Sequence, residues 1–133
     1  MEETSKILIS VRIERATEDL DTAKELLELN RYRAAVNRAY YAIFSTTNAL
    51  LLHKKIERSK HSGVEAAFIQ SFIKTGIFEV EFGKIFNYIR KKREEGDYSS
   101  KITVDRETAE KIVNDAQKFI EKIKVYLKAI EGM

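Results

Sequence analysis

Apolar residues recur along the chain at helical spacing in five separate stretches. Over residues 5–29, Ile9, Ile13, Ala16, Leu20, Ala23 and Leu27 are separated by alternating steps of four and three. That rhythm lays one apolar stripe along a helix, with Glu14, Asp19, Lys24 and Glu25 outside it. Asn30 breaks the pattern and is expected to cap the helix that follows. Over residues 31–55 the apolar surface is much broader. Ala35, Ala39, Ala42 and Ala49 share one line, Val36, Tyr40, Ile43 and Leu50 lie beside it, and Phe44, Leu51 and Leu52 carry it further round. A helix apolar on most sides needs several neighbours, so this one is expected at the centre. Its short link to the first helix predicts an antiparallel pair.

Ser62-Gly63-Val64-Glu65 has the form of a capping box and predicts a third helix, ended by Gly76, with Val64, Phe68, Phe72 and Ile73 inward. A fourth helix is expected over residues 78–93, carrying Val80, Phe82, Ile85, Phe86 and Ile89. Residues 94–104 include Gly96, Asp97, Ser99 and Ser100 and read as a loop. Asp105 is placed to cap a fifth helix reaching Ile130, with the stripe Ala109, Ile112, Ala116, Phe119, Ile123 and Leu127. The expected fold class is all-α: an antiparallel bundle of about five helices, three long and two shorter, forming one domain over residues 1–133. The complete absence of proline agrees with uninterrupted helices.

Composition narrows the chemistry. With no cysteine and two histidines, disulfides and thiolate chemistry are excluded and a zinc site is not expected. No cofactor motif occurs: there is no glycine-rich phosphate loop, Ser–His–Asp set or paired-carboxylate metal motif. Twenty-four basic against 21 acidic residues leave a net charge of +3, a mixed-sign surface that does not by itself mark a nucleic-acid binder. No stretch is long and apolar enough for a membrane span, and the polar start Met1–Lys6 does not look like a secretory signal, so a cytoplasmic location is expected.

Arg38 stands mid-helix in an apolar, aromatic stretch. If buried it requires a carboxylate, backbone carbonyls or an anionic ligand such as phosphate. Tyr41, three residues on, offers a stacking or hydrogen-bonding surface. Arg90-Lys91-Lys92-Arg93 at the predicted end of the fourth helix reads either as compensation of the helix dipole or as a phosphate site with Tyr88 and Tyr98 interleaved. His53 also stands at a predicted helix end, where its cationic form suits the dipole. His61 precedes a helix start, the position of a surface or turn histidine.

The string Asn37-Arg38-Ala39-Tyr40-Tyr41-Ala42-Ile43-Phe44, followed by Ala49-Leu50-Leu51, resembles the second-helix signature of a prokaryotic branch of the HEPN superfamily. Lys60-His61-Ser62-Gly63-Val64, residues 93–98 and the first-helix pattern extend the resemblance over most of the chain. It implies an all-α homodimer, toxin-like or RNA/nucleotide-associated, often paired with a minimal nucleotidyltransferase as antitoxin. Active relatives are metal-independent ribonucleases marked by Arg, four to six residues, then His, with Tyr two residues beyond. Here Arg93 and Tyr98 are present without a histidine between them. His is the natural acid–base group near neutral pH, so little or no ribonuclease activity is expected of this chain alone. Asp97 and His61 are the residues left to stand in catalytically; Arg38, Arg90, Arg93, Tyr98 and Tyr41 are the expected contacts to an RNA or nucleotide phosphate. The alternatives are a catalytically silent dimerisation module and a ribonuclease with an atypical site.

Overall fold

The first stripe forms α1 (Glu3–Glu28), burying Ile9, Ala16, Leu20 and Ala23. The computed structural model describes residues 3–58, 60–98 and 104–130, with Asp97 and Tyr98 as helix backbone. Asn30 closes α1 rather than opening the next helix. It adopts a left-handed φ of 61°, and the Arg31 and Asn30 amides donate back to the Leu26 and Leu27 carbonyls at 2.8 and 3.0 Å. Asparagine tolerates that conformation, and the two returning bonds satisfy carbonyls the helix end would leave open. The expected N-cap is therefore corrected: α2 (Tyr32–His53) starts after Arg31 with no side-chain cap.

α2 is the central helix, packing on α1, α3, α4 and α5. Its alanine line is fully buried, with Val36, Tyr40, Ile43, Leu50 and Leu51. Buried Thr46 and Thr47 donate to the carbonyls four residues back, Ala42 at 2.9 Å and Ile43 at 2.7 Å, so neither hydroxyl is left unsatisfied. α1 and α2 are antiparallel: Arg12 reaches the Asn48 carbonyl near one end, and Asp19 reaches Arg38 near the other. α2 ends as α1 does, with Lys55 at φ 59° and the Ile56 amide donating to the Leu51 carbonyl at 2.9 Å.

α3 (His61–Phe68) runs into a π-helical turn at Ile69–Ile73. The capping-box expectation fails here: the helix begins after Lys60 without a side-chain cap, and Glu65 is drawn instead to Asn87 and Arg90. Gly76, at φ 80°, supplies the turn that follows, as its position predicted. Phe68, Phe72, Phe78, Phe86 and Phe119 are buried together, with the Phe68 and Phe119 ring centres 5.4 Å apart.

α4 (Val80–Tyr98) is longer than its apolar pattern indicated. Residues 94–98 of the expected loop are helical, and residues 99–103 lie outside the described residues. Arg90 bonds Glu94 at 3.0 Å and Lys92 bonds Glu95 at 3.3 Å along the helix, and Gly96 is buried beside the Arg33 side chain. α5 (Arg106–Ile130) opens with the expected cap, the Asp105 carboxylate accepting the Thr108 amide at 2.8 Å, and buries all six residues of its stripe. Among the described residues there are five α-helices and no strand, the all-α bundle expected. No helix among them is long and apolar enough to cross a membrane.

Candidate functional site

The side chains brought together most clearly come from α2, α3 and α4. Tyr40 and Tyr41 are adjacent on α2, their rings set edge to face at 5.4 Å. Arg93 reaches across from α4 and lies over both, its guanidinium carbon 4.8 Å from the Tyr40 ring centre and 5.3 Å from that of Tyr41. Arg38 approaches Tyr41 along α2 itself, at 5.0 Å. One tyrosine therefore sits under two cations from different helices, each within cation–π range.

His61, in the first turn of α3, completes the cluster. Its ring lies 4.2 Å from Phe44 and 5.9 Å from Tyr41, and its Nδ1 is 3.0 Å from the Tyr40 hydroxyl. Burial first, and the Arg93 charge second, push its pKa below the ordinary 6.5, so the ring is neutral at pH 7. Burial pushes the Tyr40 phenol up to about 12, which keeps its proton in place. Tyr40 is fully buried, and the partner of its hydroxyl among the described residues is His61. The arrangement that satisfies both groups has Tyr40 donating to Nδ1, which puts the imidazole proton on Nε2.

Arg38 departs from expectation in degree. It pairs with Asp19 at 3.2 Å, but its side chain is 36% exposed, so it is not a sealed charge and can reach solvent or a ligand. Arg90 is more occupied. It pairs with Glu65 on α3 and Glu94 on its own helix. Burial opposes its charge, but the Glu65 hydrogen bond and attraction, reinforced by Glu94, prevail and hold its pKa above the usual value. The basic run does not end α4, as the dipole reading supposed; its members diverge. Arg93 faces the tyrosines, Arg90 faces Glu65, Lys92 meets Glu95 and Tyr88, and Lys91 is exposed.

Of the seven residues singled out from sequence, Arg38, Tyr41, Arg93 and His61 meet in one place. Arg90 lines the hollow on the α3 side of His61, together with Glu65 and Glu94. The side chains of Asp97 and Tyr98 lie outside the described residues. Sequence reading missed Tyr40 as a polar participant, because at helical spacing it looks like core, and it is core except at its hydroxyl. His53 packs edge-on against Tyr126 of α5. No group of three metal-ligating side chains occurs among the described residues.

The HEPN domain profile matches residues 9–126, nearly the whole bundle. This chain belongs to the HEPN family. Its relatives include a "UPF0332 protein" of Thermotoga maritima, 43% identical over 123 residues and covering 92% of each chain. Two Methanocaldococcus jannaschii proteins are each named "Putative toxin". One is 41% identical, covering 92% of this chain and 90% of the relative; the other is 37% identical, covering 86% and 78%. The chain is thus a HEPN protein, two of whose relatives carry a toxin name.

Proposed function

We propose that this chain is the toxin-like member of a two-component pair, and that it holds a phosphate of RNA or of a nucleotide against Arg38 and Arg93. The observation that carries the reading is the convergence of two guanidinium groups on the face of Tyr41. Both groups lie within cation–π range of one ring, so a phosphate seated beside it can accept charge-assisted hydrogen bonds from each. An Nε2–H on neutral His61 supplies a further donor at the edge, and Tyr41 and Phe44 supply aromatic surface for a base. Tyr98 stays in the reading on its sequence position after Arg93. The partner proposed is a nucleotidyltransferase-type antitoxin, on the family resemblance and on the relatives' toxin names.

Calorimetric titration with the 5′-phosphorylated dinucleotide pUpU tests the site. Saturable binding is expected, weakened about tenfold or more by Arg93→Ala and several-fold by Arg38→Ala, with Arg33→Ala, exposed at the helix start, close to wild type. No binding, or equal binding by all the variants, contradicts the reading.

A second reading has one observation in its favour: a neutral imidazole beside a cation is the equipment of a metal-independent ribonuclease. Against it, a proton on Nε2 makes His61 a donor toward the ligand rather than a base. Little or no cleavage of total RNA under chelation is therefore expected. Robust cleavage abolished by His61→Ala would establish the second reading with His61 in that role, and cleavage abolished by Asp97→Ala would assign it to Asp97.

A further inference from the structure

We infer that the phosphate site is one end of a longer track for single-stranded RNA, continued on the far side of His61 by Arg12, Arg15 and Arg58. This rests on the phosphate reading above and adds to it that the ligand is a strand of several nucleotides.

The continuation is built by helix spacing. Arg12 and Arg15 are three residues apart on α1, and Ser45 and Asn48 are three apart on antiparallel α2, so each pair shares a face. These four line a hollow of about 380 Å³ with Arg58, which approaches from the segment between α2 and α3. Phe44 and His61 close its near wall, and they belong equally to the tyrosine–arginine cluster. The two sites are therefore joined through a single aromatic wall.

The charge on this side is little compensated. Arg12 donates to the Asn48 carbonyl and Arg58 to the Glu57 carbonyl, while none of the three arginines forms an ion pair among the described residues. Elsewhere the basic side chains of α4 and α5 are repeatedly matched with carboxylates, as in Lys111–Asp115, Lys118–Glu81 and Lys122–Glu79. The stem of Arg58 lies over Gly63, where a Cβ would come within 3.4 Å, so the arginine is seated on the same turn that carries His61. The neighbouring hollow shares Arg12, Asn48 and Arg58 but adds Glu57, a carboxylate that marks the far end of an anion path. Arginines flanking a phenyl and an imidazole ring, with a hydroxyl and an amide between, combine phosphate contact with stacking.

The test compares pUpU with the octanucleotide U8 on the full chain, using wild type, Arg15→Ala, Arg58→Ala and the double variant. U8 is expected to bind wild type at least tenfold more tightly than pUpU. Each single variant should weaken U8 about three- to tenfold and leave pUpU within twofold. The slope of log affinity against log salt for U8 should fall by roughly 0.7 for each phosphate contact removed. Arg15 and Arg58 are exposed, so the variants should fold, which circular dichroism checks. U8 binding no tighter than pUpU overturns the track while leaving the phosphate site intact. A length gain that survives the double variant also overturns it, as does a double variant altered only in its hold on an acidic protein partner. Absence of pUpU binding strikes the phosphate reading itself.

Discussion

His61 shows most clearly how a residue's role depends on what surrounds it. In sequence it is a histidine beside a helix start, a position that usually means a turn. In the fold its ring closes over Phe44 and its Nδ1 meets a buried phenol that has kept its proton. Its lowered pKa has a consequence for stability. The unfolded chain takes up the imidazole proton near pH 6.5, before the folded chain does, so acidification through that region favours unfolding; above it the neutral ring's contribution is fully present. Wild type and His61→Gln should therefore differ most in melting temperature at pH 7–8. The gap should narrow as pH falls below about 6.5, since the carboxylates common to both proteins cancel in the difference. A gap that is constant or widens toward acid would contradict the neutral, Tyr40-bonded ring. Arg38 shows the opposite limit of sequence reading: a guanidinium among alanines and tyrosines looks sealed, but the helix turns it toward Asp19 and solvent. Its removal should cost about 1 kcal/mol or less of stability, not the severalfold larger cost of breaking a buried pair.

At the scale of elements, the stripes of α1 and α5 and the broad face of α2 were legible because burial follows helical periodicity directly. Helix ends were less so, because a cap depends on which partner a polar side chain finds in space. Asn30 and Glu65 both look like N-terminal capping residues. Asn30 takes the left-handed position that ends α1, and Glu65 is claimed by Arg90 and Asn87 across the α3–α4 contact. The extension of α4 past Arg93 was hidden for a similar reason. Its Gly-Asp composition suggests a loop, but i,i+4 pairing and packing beside Arg33 carry the helix through. The Glu65 pairing should be a substantial tie between α3 and α4, since both partners are largely buried. Glu65→Ala leaves Arg90 only Glu94 and should cost about 1–3 kcal/mol in denaturant unfolding. Glu94→Ala, which removes the more exposed partner, should cost less than 1 kcal/mol. Equal costs would mean the α3–α4 pair is no stronger than a surface one.

At the scale of the whole molecule, α2 is nearly consumed by its neighbours, which changes the argument for self-association. The apolar surface of α2 to α4 is largely covered within the bundle, so it does not supply the seam of the homodimer that the resemblance implies. The large apolar side chains left exposed include Ile7, Leu8 and Val11 on α1 and Val125 and Ile130 on α5. We still propose a homodimer, now with the exposed Ile7, Leu8 and Val11 of α1 in its seam. Light scattering should give twice the chain mass at micromolar concentration, and Ile7→Lys with Val11→Lys should return the monomer mass. A wild-type monomer would remove the proposal. Family membership was legible in the α2 string, because that string sets both the close packing of the central helix and the aromatic floor beneath the arginines. The meeting of His61 with that floor was not legible, because it depends on where α3 docks.

The proposed site holds a phosphate beside Tyr41, within reach of both Arg38 and Arg93, with His61 at the edge. The most direct measurement follows the ring resonances of Tyr41 and His61 by NMR as pUpU is added, with Tyr126 as an internal reference on α5. Saturable shifts of Tyr41 and His61 with one shared dissociation constant are expected, lost in Arg93→Ala, while Tyr126 stays still. Unmoved Tyr41 and His61 resonances, or shifts that survive Arg93→Ala unchanged, would contradict the proposed site.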